Sequence, residues 1–237
     1  MLSHECSTRG QGSTTIGKVK MTFDLIKKLA LGFMVATAAV IAVPAAPAYA
    51  AEAQQVDTTN PYTMMKVLAD NVFQDLRNTK PPMTTEKARA IITKDLLPYI
   101  DNKYSSFKVI GTNLKHTTKE EREAFTVSFT NYIIATYADA LKKYTNQTIK
   151  VQDPEPVTDK ITSVKVTISA PGAEDVEVIF KMRLNPKTGT WKAYDMVAEG
   201  ISLLSAKQSE LSGMIRDKGI TEVCKILDKH VADTMKN

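Results

Sequence analysis

The fold of this chain is decided by the stretch Gly189-Thr190-Trp191-Lys192-Ala193-Tyr194-Asp195-Met196-Val197-Ala198-Glu199-Gly200-Ile201-Ser202. The stretch begins at a turn, continues as a strand that carries the single tryptophan, and passes through Glu199-Gly200 into a long amphipathic pattern. A strand that leads directly into a helix fixes the sheet against the helical layer. We therefore expect this junction to set the shape of whatever space lies between the two layers.

Upstream of this stretch, apolar and polar side chains alternate with the period of a half-buried strand. The first such segment, 148–152, is weak, and a turn at 170–173 separates the next two. Their apolar positions are Val164, Val166, Ile168, Val176, Val178, Phe180, Met182 and Leu184. Short turns between alternating strands predict an antiparallel meander with one apolar face.

Helical patterns flank the predicted sheet on both sides. The local signals that bound them are, in chain order, an N-cap and first-turn proline at Asn60-Pro61, a cap at Thr84 or Thr85, a helix end before Pro98, a short helix closed by Gly111, a capping box from Thr118 to Glu121 and a stop at Gly219. After the tryptophan strand, Ile201 is expected within the next helix. Helices, about four strands and further helices predict an α+β fold with helices covering a curved antiparallel sheet.

The first fifty residues have the pattern of a leader. Lys27-Lys28 precede an apolar run from Leu29 to Val43, and Ala48-Tyr49-Ala50 follows as an A-x-A cleavage site. The run is shorter than the roughly 20 residues that span a membrane. We expect a secretory signal peptide within 1–50, cleaved after Ala50, with translation starting at Met21. Residues 51–59 are expected to be a disordered linker, and 60–237 a single α+β domain.

The exported part of the chain gives little support to nucleic-acid or metal binding. Without residues 1–50 it has 26 basic and 24 acidic side chains, a net charge of +2, and the two kinds are interspersed. Cys224 is then the sole cysteine and is expected in the core, without a disulfide. His116 and His230 lie far apart in sequence, so no metal site is predicted.

Two carboxylates four residues apart, Asp195 and Glu199, permit an alternative in which the protein is a periplasmic isomerase or lyase with an acid/base pair. Acidic residues near the start of a helix are, however, also favoured by its free N–H groups and dipole. The chain contains no nucleophile elbow, dinucleotide fingerprint, P-loop or zincin motif. A further alternative is a structural adaptor with a filled core and no ligand.

The sequence resembles the MlaC, or toluene-tolerance auxiliary, family. Trp191 to Ser202 is similar to the family signature W-x-x-Y-D-x-x-x-E-G-x-S. Further short motifs of the family follow the same order over residues 60–228: Asn60-Pro61-Tyr62, Leu96-Leu97-Pro98-Tyr99, Lys103-Tyr104, Val109-Ile110-Gly111, Arg122-Glu123-Ala124-Phe125, Lys207-Gln208 and Arg216-Asp217-Lys218-Gly219-Ile220.

The resemblance implies a nuclear-transport-factor-2-like sheet with added helices, which encloses a deep apolar pocket for acyl chains and leaves the head group toward solvent. It implies a periplasmic phospholipid carrier that maintains outer-membrane lipid asymmetry, with phospholipid as its ligand and no cofactor or catalysis. It also implies two partners, an inner-membrane ABC transporter complex that bears mammalian-cell-entry domains and an outer-membrane lipoprotein bound to a porin. We expect a monomer that binds no nucleic acid.

The expected pocket walls come from three parts of the chain, and each residue could instead belong to an ordinary packed core. The helical side contributes Tyr104, Val109, Ile110, Phe125 and Phe129. The sheet side contributes Val166, Ile168, Val178, Phe180 and Met182. Ile201 and Leu204 are expected at the mouth, beside the junction between strand and helix.

Overall fold

The computed structural model describes residues 55–142, 144 and 147–235. The leader and its cleavage site therefore lie outside the described residues, as does the first part of the predicted linker. In the described part, six α-helices surround one antiparallel sheet, which confirms the predicted α+β class. The helices are Pro61–Asn78 (α1), Thr85–Ile91 (α2), Asn102–Ile110 (α3), Lys119–Leu141 (α4), Leu203–Lys218 (α5) and Ile220–Thr234 (α6).

Local signals in the sequence explain where most of these helices start. The Asn60 side chain accepts hydrogen bonds from the N–H groups of Tyr62 and Thr63, at 2.9 and 3.1 Å. Thr118 and Glu121 form the predicted capping box, in which each side chain bonds the backbone N–H of the other residue. These bonds satisfy N–H groups that the helix itself leaves free.

The predicted second helix has a more complex course. Its α-helical part ends at Ile91, before Pro98 as predicted, but helical turns continue beyond it. A π-helix covers Ile92–Leu96, and a 3₁₀ turn at Leu97–Tyr99 includes the proline. A second 3₁₀ segment, Gly111–His116, follows α3. Together, the π-helix and the 3₁₀ turn form an irregular segment beside the sheet, residues 92–99, which we call the strip.

The sheet is a meander with strand order β1-β2-β3-β4-β5, and every neighbouring pair is antiparallel. Its strands are Thr148–Val151 (β1), Ile161–Ser169 (β2), Val176–Asn185 (β3), Thr190–Ala198 (β4) and Ile201–Ser202 (β5). A register shift between Lys181 and Met182 marks a bulge opposite β4. Bulges increase the bend and twist of a strand, which curves the sheet.

The junction after β4 differs from the prediction. Ile201 does not begin a helix; it belongs to β5 and pairs with Ala198. Glu199 and Gly200 have φ values of 50° and 76°, and two central residues with positive φ form the tight turn that suits a two-residue hairpin. The helix starts only after Ser202, whose hydroxyl accepts the N–H of Ser205 at 3.0 Å.

The described part of the predicted linker, residues 55–59, also differs from a disordered segment. The backbone N–H of Trp191 donates to the carbonyl of Thr58 at 2.7 Å, and Val56 packs against the cluster that contains this tryptophan. Burial of an apolar side chain, together with a backbone hydrogen bond, holds this segment against the start of β4.

Two of the apolar clusters contain most of the buried side chains of the helices and the sheet. In the first, α1 packs on the sheet, because Met64, Met65 and Leu68 belong to one cluster with Val164 and Trp191. The second, which we call the helical cluster, joins α3, α4, α5 and α6 and contains no sheet residue. Neither of these two clusters includes Tyr137, the residue through which α4 packs against the middle of the sheet.

The hairpin at Glu199-Gly200 predicts opposite effects for two glycine-to-alanine changes. Gly200→Ala should lower the free energy of unfolding by about 1 kcal/mol, because alanine disfavours the positive φ of 76°. Gly213→Ala, inside α5 with open space at its Cβ position, should raise it by up to about 1 kcal/mol. Urea unfolding measures both, and changes of the same sign would contradict the turn assignment.

Candidate functional site

The inner face of the sheet, which the helices cover, carries apolar side chains of unequal burial. Val164, Val178 and Met182 on this face are at most 1% exposed. Phe180 lies between Val178 and Met182 on the central strand β3, yet it is only half-buried. Its neighbour across the strands, Met196, is half-buried as well. We infer from this residual exposure that these side chains border an internal space.

The opposite wall of this space comes from α4 and from the distorted strip after α2. Tyr137 on α4 packs against the sheet cluster of Val178, Ala198 and Leu203. It also packs against a second cluster, which includes Ile92 and Leu97 of the strip. Tyr137 thus bridges the sheet and the helices, and we call the region around it the inner space. Its half-buried apolar members are Ile168, Val176, Phe180, Met196, Ile201, Leu96, Leu97 and Leu141.

Tyr137 has a desolvated hydroxyl beside this region. Burial raises the pKa of its hydroxyl strongly, and the charge of Asp195 adds to the rise. The side chain as a whole retains some accessible surface.

The carboxylate of Asp195 lies at the junction between β4 and α5, where it is engaged in hydrogen bonds and is not available as a free acid or base. One carboxylate oxygen accepts the hydroxyl of Ser202 at 2.7 Å, and the other accepts the N–H of Leu204 at 3.0 Å. The ammonium group of Lys181 lies 3.6 Å away, and the Asp195 side chain is buried. This carboxylate therefore caps α5 and connects it to β3 and β4. Glu199 is exposed in the hairpin turn.

The structure divides the predicted wall residues into two groups. The predicted sheet-side residues lie together around the inner face, in the clusters that contain Val178 or Val166: Val166, Ile168, Val178, Phe180 and Met182. The predicted helical residues form part of the helical cluster: Val109, Ile110, Phe125 and Phe129. The two residues predicted at the mouth are divided, since Ile201 packs with the sheet and Leu204 with the helical cluster. Phe125 and Phe129 stack on each other with ring centroids 5.7 Å apart.

Tyr104 lies in neither group. Its ring packs edge-on against Tyr194, with centroids 5.2 Å apart, and the Arg183 guanidinium lies over its face at 4.3 Å. Arg183 also forms an ion pair with Asp101, which caps α3. Tyr104 thus belongs to a polar and aromatic cluster that joins α3 to β3 and β4.

Sequence reasoning did not select two central residues of the inner space, Tyr137 and Met196. Tyr137 continues the apolar stripe of α4 at a spacing of four, between Ile133 and Leu141. Met196 follows from period two along β4, counted back from Ala198. The bulge before it shifts the alternation, so the tryptophan end of the strand does not predict its face.

The outer face of the sheet has a different character. A groove of about 530 Å³ over β2 and β3 is lined by Gln152, Asp153, Pro154, Glu155, Ser163, Lys165, Glu177 and Ile179. Lys165 and Glu177 form an ion pair across it at 3.4 Å. Such a lining suits water and ions rather than hydrocarbon.

The described residues offer neither a membrane-spanning helix nor a metal-binding cluster. None of the described helices is long and apolar enough to cross a membrane. The described ranges also contain no group of three or more His, Cys, Asp or Glu side chains arranged to hold a metal ion. Cys224 is buried, and burial raises the pKa of its thiol, which disfavours the nucleophilic thiolate.

Comparison with known proteins places the chain in a family. The model of the MlaC protein family matches residues 66–229. The chain belongs to the MlaC family. A curated member, the intermembrane phospholipid transport system binding protein MlaC of Haemophilus influenzae, is 35% identical over 166 residues, which are 68% of this chain and 78% of that protein.

A solved structure shows the same fold as this MlaC-family chain. The phospholipid-binding protein from Ralstonia solanacearum, determined in complex with a phospholipid, superposes with a TM-score of 0.66. The match covers 74% of this chain and 98% of that one, at 22% sequence identity. The sequence-based identification of the family and of the α+β fold is therefore confirmed.

A carboxylate pair anchors the strip that lines the inner space of this MlaC-family chain. Asp75 of α1 and Asp95 of the π-helix both approach the ammonium group of Lys94, at 2.7 and 3.5 Å. The hydrogen bond from Lys94 lowers the pKa of Asp75. Burial raises the pKa of Asp95, and Asp75 adds to the rise. One oxygen of Asp95 is buried without a hydrogen-bond partner.

These opposite shifts predict opposite effects of two isosteric changes. An acid with a raised folded-state pKa costs stability when ionised at pH 7, so Asp95→Asn should raise the free energy of unfolding there. Asp75→Asn should lower it, because the lowered pKa means that its charged form is favoured in the folded state. The Asp95 difference should vanish below the unfolded pKa of about 3.9, whereas the Asp75 difference should disappear only as the pH falls further, through the lowered folded-state pKa of Asp75. Denaturant unfolding between pH 3 and pH 7 measures them, and a stabilisation by Asp95→Asn that persists at pH 3 would contradict this account.

Proposed function

We propose that this chain is a periplasmic phospholipid carrier that holds acyl chains in the inner space and moves lipid between the outer and inner membranes. The observation that carries the proposal is the residual exposure of Phe180, Met196 and Tyr137 on surfaces that the fold covers. The phospholipid-binding relatives support it, since they share the family or the fold.

Physical chemistry explains why such transport requires a carrier. Transfer of hydrocarbon to water costs about 0.8 kcal/mol per CH₂, so a sixteen-carbon chain costs on the order of 10 kcal/mol. Crossing an aqueous compartment without a carrier is therefore negligible. The inner space offers apolar surface on both walls, from the β3–β4 pair and from α4 with the strip after α2.

Tight holding of lipid does not require an ionic clamp. Measured affinities level off near −18 to −21 kcal/mol, which two buried chains can already approach. Lys207 is a buried cation near α4, but its ammonium group is engaged by the Tyr132 hydroxyl and the Glu210 carboxylate, both at 2.7 Å. We accordingly propose that the head group stays toward solvent and that the carrier accepts several phospholipids.

The location and partners are part of the same proposal. The signal-peptide pattern in residues 1–50 supports export to the periplasm. The proposed partners are an inner-membrane ABC transporter complex with mammalian-cell-entry domains and an outer-membrane lipoprotein–porin complex. A monomer suits this role, because each partner must reach the opening of the same molecule.

We propose no catalytic role for the two acids that suggested an isomerase or lyase. The carboxylate of Asp195 is bonded to Ser202 and Leu204 and lies near Lys181, so it is engaged in capping α5. Glu199 is exposed to solvent in a turn and outside the inner space. Neither group is positioned as a free base beside an apolar ligand.

Substitution at the inner space tests the proposal. Ile201→Glu places a charge beside the acyl chains, and Met196→Trp fills the space without a charge. Both variants should lose the phospholipid that co-purifies with the protein, by about tenfold or more, because the lipid loses its apolar surroundings. Organic extraction followed by mass spectrometry measures lipid per protein.

Ile161→Glu is the matched control for this experiment. Ile161 lies on the outer face of β2 and is 55% exposed, so the same substitution there should leave lipid content unchanged. Circular dichroism and urea unfolding check that each variant is folded. Undiminished lipid in folded Ile201→Glu and Met196→Trp would refute the assignment of the site.

A further inference from the structure

The hydroxyl of Tyr137 has no hydrogen-bond partner among the described residues and lies between two apolar clusters. Tyr137 is a member of both the sheet cluster and the cluster of the strip, so its ring stands between the two walls. Within the described part of the chain, its hydroxyl makes no hydrogen bond, and it is not among the fully enclosed polar atoms. The group is therefore open to whatever occupies the inner space.

An unpartnered hydroxyl in such a place has an energetic cost. Desolvation of a hydroxyl that makes no hydrogen bond destabilises the folded protein, whereas phenylalanine would fill nearly the same volume without that cost. Burial also keeps the phenol protonated, since its pKa is strongly raised. The side chain thus presents one hydrogen-bond donor to the inner space.

We propose that the hydroxyl of Tyr137 donates a hydrogen bond to an acyl-ester carbonyl of the bound lipid and thereby fixes how deeply the lipid sits. This inference rests on the proposed carrier function and adds a specific polar contact to it. The hydrocarbon of an acyl chain has no acceptor, and the ester carbonyl is the first acceptor that follows it. A Tyr137 contact would therefore distinguish ester lipids from ligands that offer hydrocarbon alone.

The apolar surroundings of Tyr137 favour a neutral carbonyl over an ionised phosphate as the acceptor. The surrounding side chains, among them Phe180, Leu97 and Ile201, are apolar and would not replace the hydration of an anion.

A two-by-two comparison of protein and lipid tests this contact. Delipidated wild type and Tyr137→Phe are each loaded from vesicles containing equal amounts of dipalmitoyl phosphatidylglycerol and its dihexadecyl ether analogue. The two lipids share head group and chain length, but the ether analogue lacks the carbonyls. Mass spectrometry of the protein-bound lipid gives the ester-to-ether ratio. Dividing the wild-type ratio by that of Tyr137→Phe cancels differences in vesicle partitioning.

The expected quotient is about 2- to 12-fold, the equilibrium effect of one neutral hydrogen bond.

Tyr194→Phe is the control, because Tyr194 packs against Tyr104 and its hydroxyl likewise makes no hydrogen bond within the described residues. The Tyr194→Phe variant should retain the wild-type ester-to-ether ratio. A quotient of 1 with both proteins loaded overturns the Tyr137 contact and leaves the carrier role intact. If folded wild type takes up neither lipid, the carrier role fails and the contact fails with it.

Discussion

A sheet face that is covered but not filled is the constraint on which the rest of this structure depends. Covering apolar strands with helices normally produces a close-packed interior, and unfilled volume costs about 24 cal/mol per Å³. Here the middle of β3 and β4 keeps accessible apolar surface at Phe180 and Met196. An apolar ligand that occupies this region recovers the contacts that the empty protein lacks.

The fold tolerates this unfilled region because its stability comes from elsewhere. On one side, α1 is packed on the sheet around Trp191. On the other, the helical cluster of α3 to α6 has fully buried members such as Phe125 and Val223. Between them, α4 contributes to the helical cluster with one part and faces the inner space with Tyr137. The same helix thus connects a rigid core to a ligand-accommodating wall.

Local signals in the sequence predicted much of the fold, since they act over a few residues. The caps at Asn60 and Thr118 and the period-two strands depend on neighbours in the chain. The β4–β5 hairpin was not predicted, because glutamate is not a residue type that indicates a positive φ. In addition, the apolar pattern beyond Gly200 also fits a helix. The π and 3₁₀ turns after Ile91 depend on tertiary contacts that no local pattern encodes.

The site was predicted less completely, for a related reason. An apolar stripe shows which face of an element is buried but not which neighbour covers it. Phe125 and Tyr137 lie on one helix, and only the structure assigns the first to the helical cluster and the second to the inner space. The sheet-side expectations were easier, because all inward residues of a meander share one face, as Val178 and Phe180 do.

The most direct measurement of the central claim is an isotope-filtered NOE experiment on methyl-labelled protein loaded with a ¹³C-acyl phospholipid. The account predicts cross-peaks between acyl-chain protons and the methyl groups of Met196, Ile168 and Ile201, and none to Ile161 on the outer face. Lipid-loaded protein with no cross-peaks to these inner methyl groups, or with cross-peaks to Ile161 instead, would contradict it.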